Sequence, residues 1–263
     1  MSKEIVYAIG DIHGRADLLD AILTFAEQDA ATKQATPRFV FLGDVADCGD
    51  DSRAAIDLVL DTLAAHPQSV LVKGNHDDWF VRFLDGHDKD PNHVMAWLQR
   101  GGQKTIQSYA CSEFDMALDM VKLLHSDHVA LFRDAARSVT IGAFHFVHAG
   151  VDPNRSLEDQ DSHDTMWIRK PFLDHVGYLQ KIIVHGHTVV GDRPVVTENR
   201  ISIDTGAFHS GRLTVMSFDV ETGEIEFNQT DGCADRVINV EPVLQDRGLG
   251  TFLSEPYELP MAA

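Results

Sequence analysis

Several features that would set this 263-residue chain apart are missing from it. No apolar run reaches the ~20 residues that a membrane-spanning helix needs. The opening Met1-Ser2-Lys3-Glu4 leads straight into a strand-like run, without a signal-peptide pattern. Cysteine is scarce. Cys48, Cys111 and Cys233 are odd in number and far apart, which argues against a disulfide framework and for a reducing, cytoplasmic compartment. Positive charge is also short: 22 Lys and Arg against 41 Asp and Glu leave a net charge of −19. That balance repels nucleic acid and anionic membranes, so neither is an expected partner. An anionic substrate would need local positive charge, and bound metal is the candidate source. What remains, 44% apolar and 24% charged residues, is the composition of a globular chain with a real core.

The first half alternates strand and helix patterns. Ile5 to Ile9, Arg38 to Leu42 and Ser69 to Val72 are short apolar runs that read as buried strands. Between them, Ala16 to Glu27 and a segment from a Ser52 N-cap to Leu63 carry apolar residues at helical spacing. This β-α-β-α-β order predicts an α/β layer architecture. Helical patterns then dominate from Asp78 to Asp134: Trp79 to Leu84, His93 to Arg100, and one long segment from Phe114 to Phe132. Strand patterns return over 138–141, 144–148, 181–185, 200–203, 213–219 and 224–227. Glu221-Thr222-Gly223 reads as the hairpin turn between the last two. The expected organisation is one domain over residues 1–230, with 78–134 as a helical insertion. The tail over 231–263 has weak periodicity and no expected packing.

The strand ends carry the chemistry. They read Gly10-Asp11-Ile12-His13-Gly14, Gly43-Asp44-Val45-Ala46-Asp47-Cys48-Gly49, Gly74-Asn75-His76-Asp77, His148-Ala149-Gly150 and His185-Gly186-His187-Thr188. Each polar residue alone is an ordinary turn former. Five strand ends with Asp, Asn or His beside Gly are a site, because open α/β sheets build sites at their carboxyl edges. Imidazole and carboxylate donors without thiolate suit Mn, Fe, Zn or related ions. The set is too large for one ion and points to two, ~3.5–4 Å apart. Asp44 is the natural bridge, with Asp11 and His13 on one ion and Asn75, His148 and His187 on the other.

GDxHG, GDxxDxG, GNHD, HAG and GH, in this order over residues 10–188, resemble the calcineurin-like metallophosphoesterases. The spacing is nearest the bacterial phosphoprotein phosphatase branch, which includes symmetrical dinucleoside tetraphosphatases. The resemblance implies two stacked mixed sheets flanked by helices, with two divalent metals (manganese first, with Fe, Zn, Ni or Co as alternatives). It implies in-line attack on phosphorus by a hydroxide shared between the metals. It makes His76 the proton donor to the leaving group, with Asp47 orienting it, and Arg169 a phosphate ligand. The 78–134 insertion would roof the site. His185, at a strand position, reads as a core histidine.

One departure stands out. The family pattern reads GDxxDRG, and its arginine grips phosphate, whereas Cys48 stands here. Arg15, Arg53 and Lys104 are the candidate replacements. The expected activity is phosphomonoester hydrolysis of the serine/threonine protein phosphatase kind. Dinucleoside polyphosphate hydrolysis is the first alternative, and a catalytically weak phospho-ligand binder the second. The expected partner is a phosphorylated protein or small phosphoester; oligomeric state is open.

Overall fold

The computed structural model describes residues 3–109 and 114–245. Cys111 and the tail over 246–263 lie outside the described residues.

In chain order the elements are β1 (Glu4–Ile9), α1 (Ala16–Thr32), β2 (Thr36–Phe41), α2 (Ser52–Ala65) and β3 (Val70–Leu71). A run of helices follows, with α3 (Asn75–Leu84) starting before the expected insertion over 78–134: then come α4 (Pro91–Trp97), a widened helical turn (Leu98–Gly102), α5 (Gln103–Ser108), α6 (Phe114–Leu124) and α7 (Ser126–Asp134). The second half gives β4 (Ser138–Ile141), β5 (Phe144–Val147), α8 (Ser162–Trp167), α9 (Lys170–Leu173), β6 (Ile182–His185), β7 (Val195–Val196) and β8 (Arg200–Ser202). It closes with α10 (Ala207–Ser210), β9 (Thr214–Asp219), β10 (Ile225–Thr230), β11 (Val237–Asn239) and β12 (Val243–Leu244).

These strands form two six-stranded mixed sheets, ordered β11-β10-β9-β1-β2-β3 and β12-β7-β8-β6-β5-β4. In the first, β1, β2 and β3 are parallel and β9 returns antiparallel beside β1. Side-chain alternation explains the stacking. Along β1, Ile5, Tyr7 and Ile9 face the helices, while Val6 and Ala8 face the second sheet. From the second sheet, Phe144, Phe146, Ile182, Val184 and Ile201 meet them. Burial on both faces is why β1 reads as one continuous apolar run.

The insertion is part of this core. Phe80, Trp97, Ile106, Tyr109, Val129 and Phe132 pack in the same apolar cluster as α1 and α2. Each such side chain, fully buried, stabilises by roughly 1.5–3 kcal/mol.

Three expectations change. The helix over 114–132 is two helices, because His125 takes an extended φ of −132° and α7 begins afresh after it. Ser52 is not the N-cap of α2. Asp51 is, accepting a bond from the Ala54 N–H, and Ser52 turns its hydroxyl inward. Finally, β11 and β12 extend one edge of each sheet. They are three and two residues long, too short to leave a period in the sequence.

Candidate active site

Asp11, His13, Asp44, Asp47, Cys48 and His187 all lie just past strand ends. His13, Asp44, Asp47, Cys48 and His187 have positive φ, between 47° and 71°. Only one other non-glycine residue described, Gln34, shares that conformation. Residues held in the left-handed region cost free energy and persist where the surroundings force them, so strain is concentrated at this edge. Two glycines make the crowding possible. A Cβ at Gly74 would lie 2.1 Å from Asp44 Oδ1, and one at Gly186 would lie 1.9 Å from Asp11 Oδ1.

Asp44 is the centre of the cluster. His13 Nε2 lies 3.7 Å and His148 Nε2 3.4 Å from Asp44 Oδ2. Two sets of donor atoms converge around it: His13, Asp44 and His76, and Asp44, His148 and His187. One terminal atom of the Asn75 amide is 3.0 Å from His148 Nε2 and 2.8 Å from His187 Nδ1. The structure therefore brings His13, Asp44, Asn75, His148 and His187 together. Asp11 is placed differently. It is buried beside Asp204, and its two oxygens accept the His187 backbone N–H at 3.1 and 3.0 Å. It holds the His187 backbone and does not join either convergent set.

The donor set fits divalent cations. His13 Nδ1 is tied to the Ala46 carbonyl at 3.1 Å and His148 Nδ1 to the Leu42 carbonyl at 2.7 Å. Both rings thereby turn Nε2 toward Asp44, the arrangement that backbone carbonyls impose on metal-ligating histidines. Buried carboxylates crowd the same point: Asp11, Asp44, Asp77 and Asp204. Among the described residues none of them pairs with Lys or Arg, so among side chains only the histidines face their charge at close range. The titration of the cluster reflects this. Burial pushes His13 down to about 4 and His187 down to about 3. Burial opposes charge on His148 too, but the Asp44 and Asp11 carboxylates outweigh it and raise that imidazole to about 10. Burial and Asp204 together hold Asp11 well above the carboxylate range.

Asp77 is a residue that the sequence reading passed over. Its carboxylate accepts N–H bonds from Asp44 (2.8 Å), Val45 (2.9 Å) and Gly74 (3.0 Å), fixing the two loops that carry Asp44 and Asn75. Its position three residues after Gly74 marks it as a helix-capping acid, which is the one signal that could have found it.

His76 and Asp47 form a dyad. His76 Nδ1 is 2.7 Å from Asp47 Oδ2. Burial lowers the His76 affinity for a proton, but the Asp44 charge and the Asp47 hydrogen bond override it and leave it raised. Asp47 is fully buried, and two insertion residues support it. Trp97 Nε1–H donates to Oδ2 at 2.7 Å and the Thr105 hydroxyl donates to Oδ1 at 2.6 Å. The Asp47 N–H is in turn received by Ser52 Oγ and Thr105 Oγ1. In the sequence Trp97 lies in the helical pattern His93 to Arg100, where an indole looks like packing; Ser52 reads as a helix cap, and Thr105 lies outside the helical patterns.

Other expectations sort as follows. His185 faces away from the cluster, 2.7 Å from Ser202 Oγ and against Phe172, as a core histidine. Burial raises the Cys48 thiol to about 12, so it is protonated at neutral pH. Arg169 is exposed at the start of α9, and its charge is felt at His187. Trp79 and Trp167, half-buried, meet edge-on at 5.1 Å. Trp79 touches His76 (5.4 Å) and Trp167 touches His187 (6.0 Å). On the other side, the exposed Phe208 packs 5.5 Å from His13.

A family model described as calcineurin-like phosphoesterase matches residues 5–197. The chain belongs to that family. This phosphoesterase is 28% identical over 231 residues to a protein of Anoxybacillus flavithermus named bis(5'-nucleosyl)-tetraphosphatase PrpE [asymmetrical], covering 81% of this chain and 91% of that one. Among solved structures it resembles a protein serine/threonine phosphatase of Saccharomyces cerevisiae. That match has a TM-score of 0.54 and 13% identity, over 86% of this chain and 79% of that one. A cold-active protein-tyrosine phosphatase of a psychrophilic Shewanella gives a TM-score of 0.56 at 16% identity, over 90% and 80%. At such identities the structural likenesses speak for the fold alone. In the described residues no helix is long and apolar enough to cross a membrane.

Proposed function

We propose that this phosphoesterase cleaves phosphoanhydride P–O bonds of dinucleoside polyphosphates, with two divalent cations held by His13, Asp44, Asn75, His148 and His187 and with Asp11 in support. The observation that carries the reading is Asp44 between two histidine-bearing donor sets, with the Asp47–His76 pair beside it. Bound there, the cations supply Lewis acidity and a water acidic enough to ionise near neutral pH.

The protein's own groups do the rest. Asp44, held by Asp77 through its backbone, keeps the two donor sets at fixed separation. As the imidazolium, which the Asp44 charge and the Asp47 hydrogen bond favour, His76 donates Nδ1–H to Asp47, carries a second proton on its outer nitrogen and delivers that proton to the leaving oxygen. Asp47, braced by Trp97 and Thr105, keeps the imidazole oriented and charged. Arg169 offers a planar, two-pronged donor to a phosphoryl oxygen.

Support for the substrate class comes from two sources. The curated relative carries a tetraphosphatase name. The rim beside His76 and His187 is aromatic, with Trp79 and Trp167 placed to stack a base. The phosphomonoester reading, which the motifs suggested first, remains the comparison arm of the test. Protein loaded with Mn²⁺ is assayed on diadenosine tetraphosphate and on phosphoserine peptides. Nucleotide release with a higher kcat/KM than peptide dephosphorylation is expected; the reverse order would replace this reading with the phosphomonoester one. The intact dyad argues against a pure binding protein, which needs no proton donor.

A further inference from the structure

The motif that lacks its arginine leaves a question about anionic substrate in a chain of net charge −19. The three replacements suggested by sequence are committed elsewhere. Arg15 grips Asp17 with two nitrogens and donates to the Ala207 carbonyl. Lys104 is paired with Asp50 at 2.7 Å. Arg53 lies near enough to Tyr109 and His125 for its charge to be felt at both.

A fourth cation is better placed. The widened turn over 98–102 rests on the Cys48 loop. The Cys48 N–H donates to the Gly101 carbonyl, and the thiol lies 3.4 Å from the Arg100 carbonyl. Arg100 and Gly101 leave helical geometry there, Gly101 with a φ of 113°. A Cβ at Gly101 would lie 2.3 Å from the Cys48 nitrogen, so the contact depends on glycine. Such non-helical turns within helices recur at functional sites. The small side chain at position 48 packs directly against this turn.

The turn delivers Arg100 to the site. Its guanidinium lies 5.8 Å from the centroid of Trp79, the same indole that touches His76. Its side chain is exposed, and among the described residues no carboxylate pairs with it. In a chain this acidic, an arginine held by an aromatic face and free of carboxylates keeps its full donor fork for a ligand. We infer that Arg100, supplied by the insertion, binds phosphate on the leaving-group side of the site. It thereby selects substrates whose leaving group is itself phosphorylated.

The side follows from His76. Whatever departs takes its proton from that imidazole, and Arg100 shares an indole with it. An aryl leaving group offers Arg100 nothing, whereas a polyphosphate leaving group offers oxygens in bidentate geometry. The inference rests on the phosphoesterase reading above.

The test compares Arg100→Ala and Arg100→Lys with Arg53→Ala, which removes the same charge away from the site. The Mn²⁺-loaded variants are assayed on diadenosine tetraphosphate and p-nitrophenyl phosphate, with the inhibition constant of ADP as a readout independent of turnover. Arg100→Ala should lower kcat/KM for the tetraphosphate about tenfold or more and weaken ADP by a similar factor. It should change the nitrophenyl ester by less than about threefold, Arg100→Lys should fall between, and Arg53→Ala should match the wild type. Equal losses on both substrates, no loss on either, or the same loss from Arg53→Ala would each overturn the assignment while leaving the reaction intact. A wild-type protein that hydrolyses only the nitrophenyl ester would remove both this inference and the dinucleotide reading. One that hydrolyses neither would remove the hydrolase reading altogether.

Discussion

Trp97→Phe removes one N–H from the insertion and keeps the ring. In the native protein Asp47 Oδ2 accepts from His76 and from the indole, both at 2.7 Å, while Thr105 serves the other oxygen. A hydrogen bond to a buried charge contributes about 1.5–3 kcal/mol. For a domain of this size each kcal/mol corresponds to about 2–4 °C, so Tm should fall by roughly 3–12 °C. The catalytic effect has a definite sign. A carboxylate with one donor fewer is less well stabilised as the anion and draws harder on the His76 proton. If His76 must be protonated to act, the alkaline limb of kcat should move upward, by about half a unit to one unit if a minor part of the lost bond is felt there. The Tm comes from calorimetry of the metal-free protein and the limb from a pH series at saturating substrate. A lower Tm with an unmoved limb would mean that Trp97 supports the fold and leaves His76 untouched; no change in either would refute the hydrogen bond itself.

Four further outcomes are expected. His76→Asn should cost about 10²–10⁴ in kcat on poor leaving groups and far less on nitrophenyl phosphate; equal losses would exclude a proton-donor role. Asp44→Asn should lower bound metal and activity together, read by mass spectrometry of the purified protein; full metal content with normal turnover would remove Asp44 from the centre. Mn²⁺ should bind about tenfold more tightly per unit of pH between 6 and 8, because His148, raised to about 10 without metal, must release its proton to ligate. A pH-independent Kd would show that His148 enters neutral. Cys48, its thiol raised to about 12, should resist iodoacetamide at pH 8 in the folded protein; rapid alkylation at that position would contradict the burial argument.

The legible parts of this molecule are those where one force acts alone. Strands β1 and β5 and the second half of β2, Phe39 to Phe41, are buried on both faces and show as apolar runs. His13, Asp44, Asn75 and His187 stand beside glycines because the backbone crowds there. The family's stacked sheets are found as the resemblance implied. Strands β7 and β12 are two residues long, and α8 to α10 are six or fewer, so no period develops. The unread part of the site is of another kind. Trp97 looks like packing within a helical pattern and Thr105 lies outside the helical patterns, and their polar atoms matter only through a partner some 50 residues away. Arg100 was hidden because its value lies in what it lacks, a carboxylate, and only three dimensions reveal that.

The helical segment between β3 and β4 shares the main apolar core and satisfies Asp47. The residues we assign to substrate choice and to bracing the proton donor are therefore parts of one packed segment. Replacing residues 78–134 by a segment without an indole and a hydroxyl at positions 97 and 105 would strip a buried carboxylate of two donors. Any substitute segment has to place an indole and a hydroxyl at those two points, whereas the exposed residues between them carry no such demand. Directed evolution aimed at new substrates should accordingly start from the Arg100 turn, with Trp97 and Thr105 held fixed.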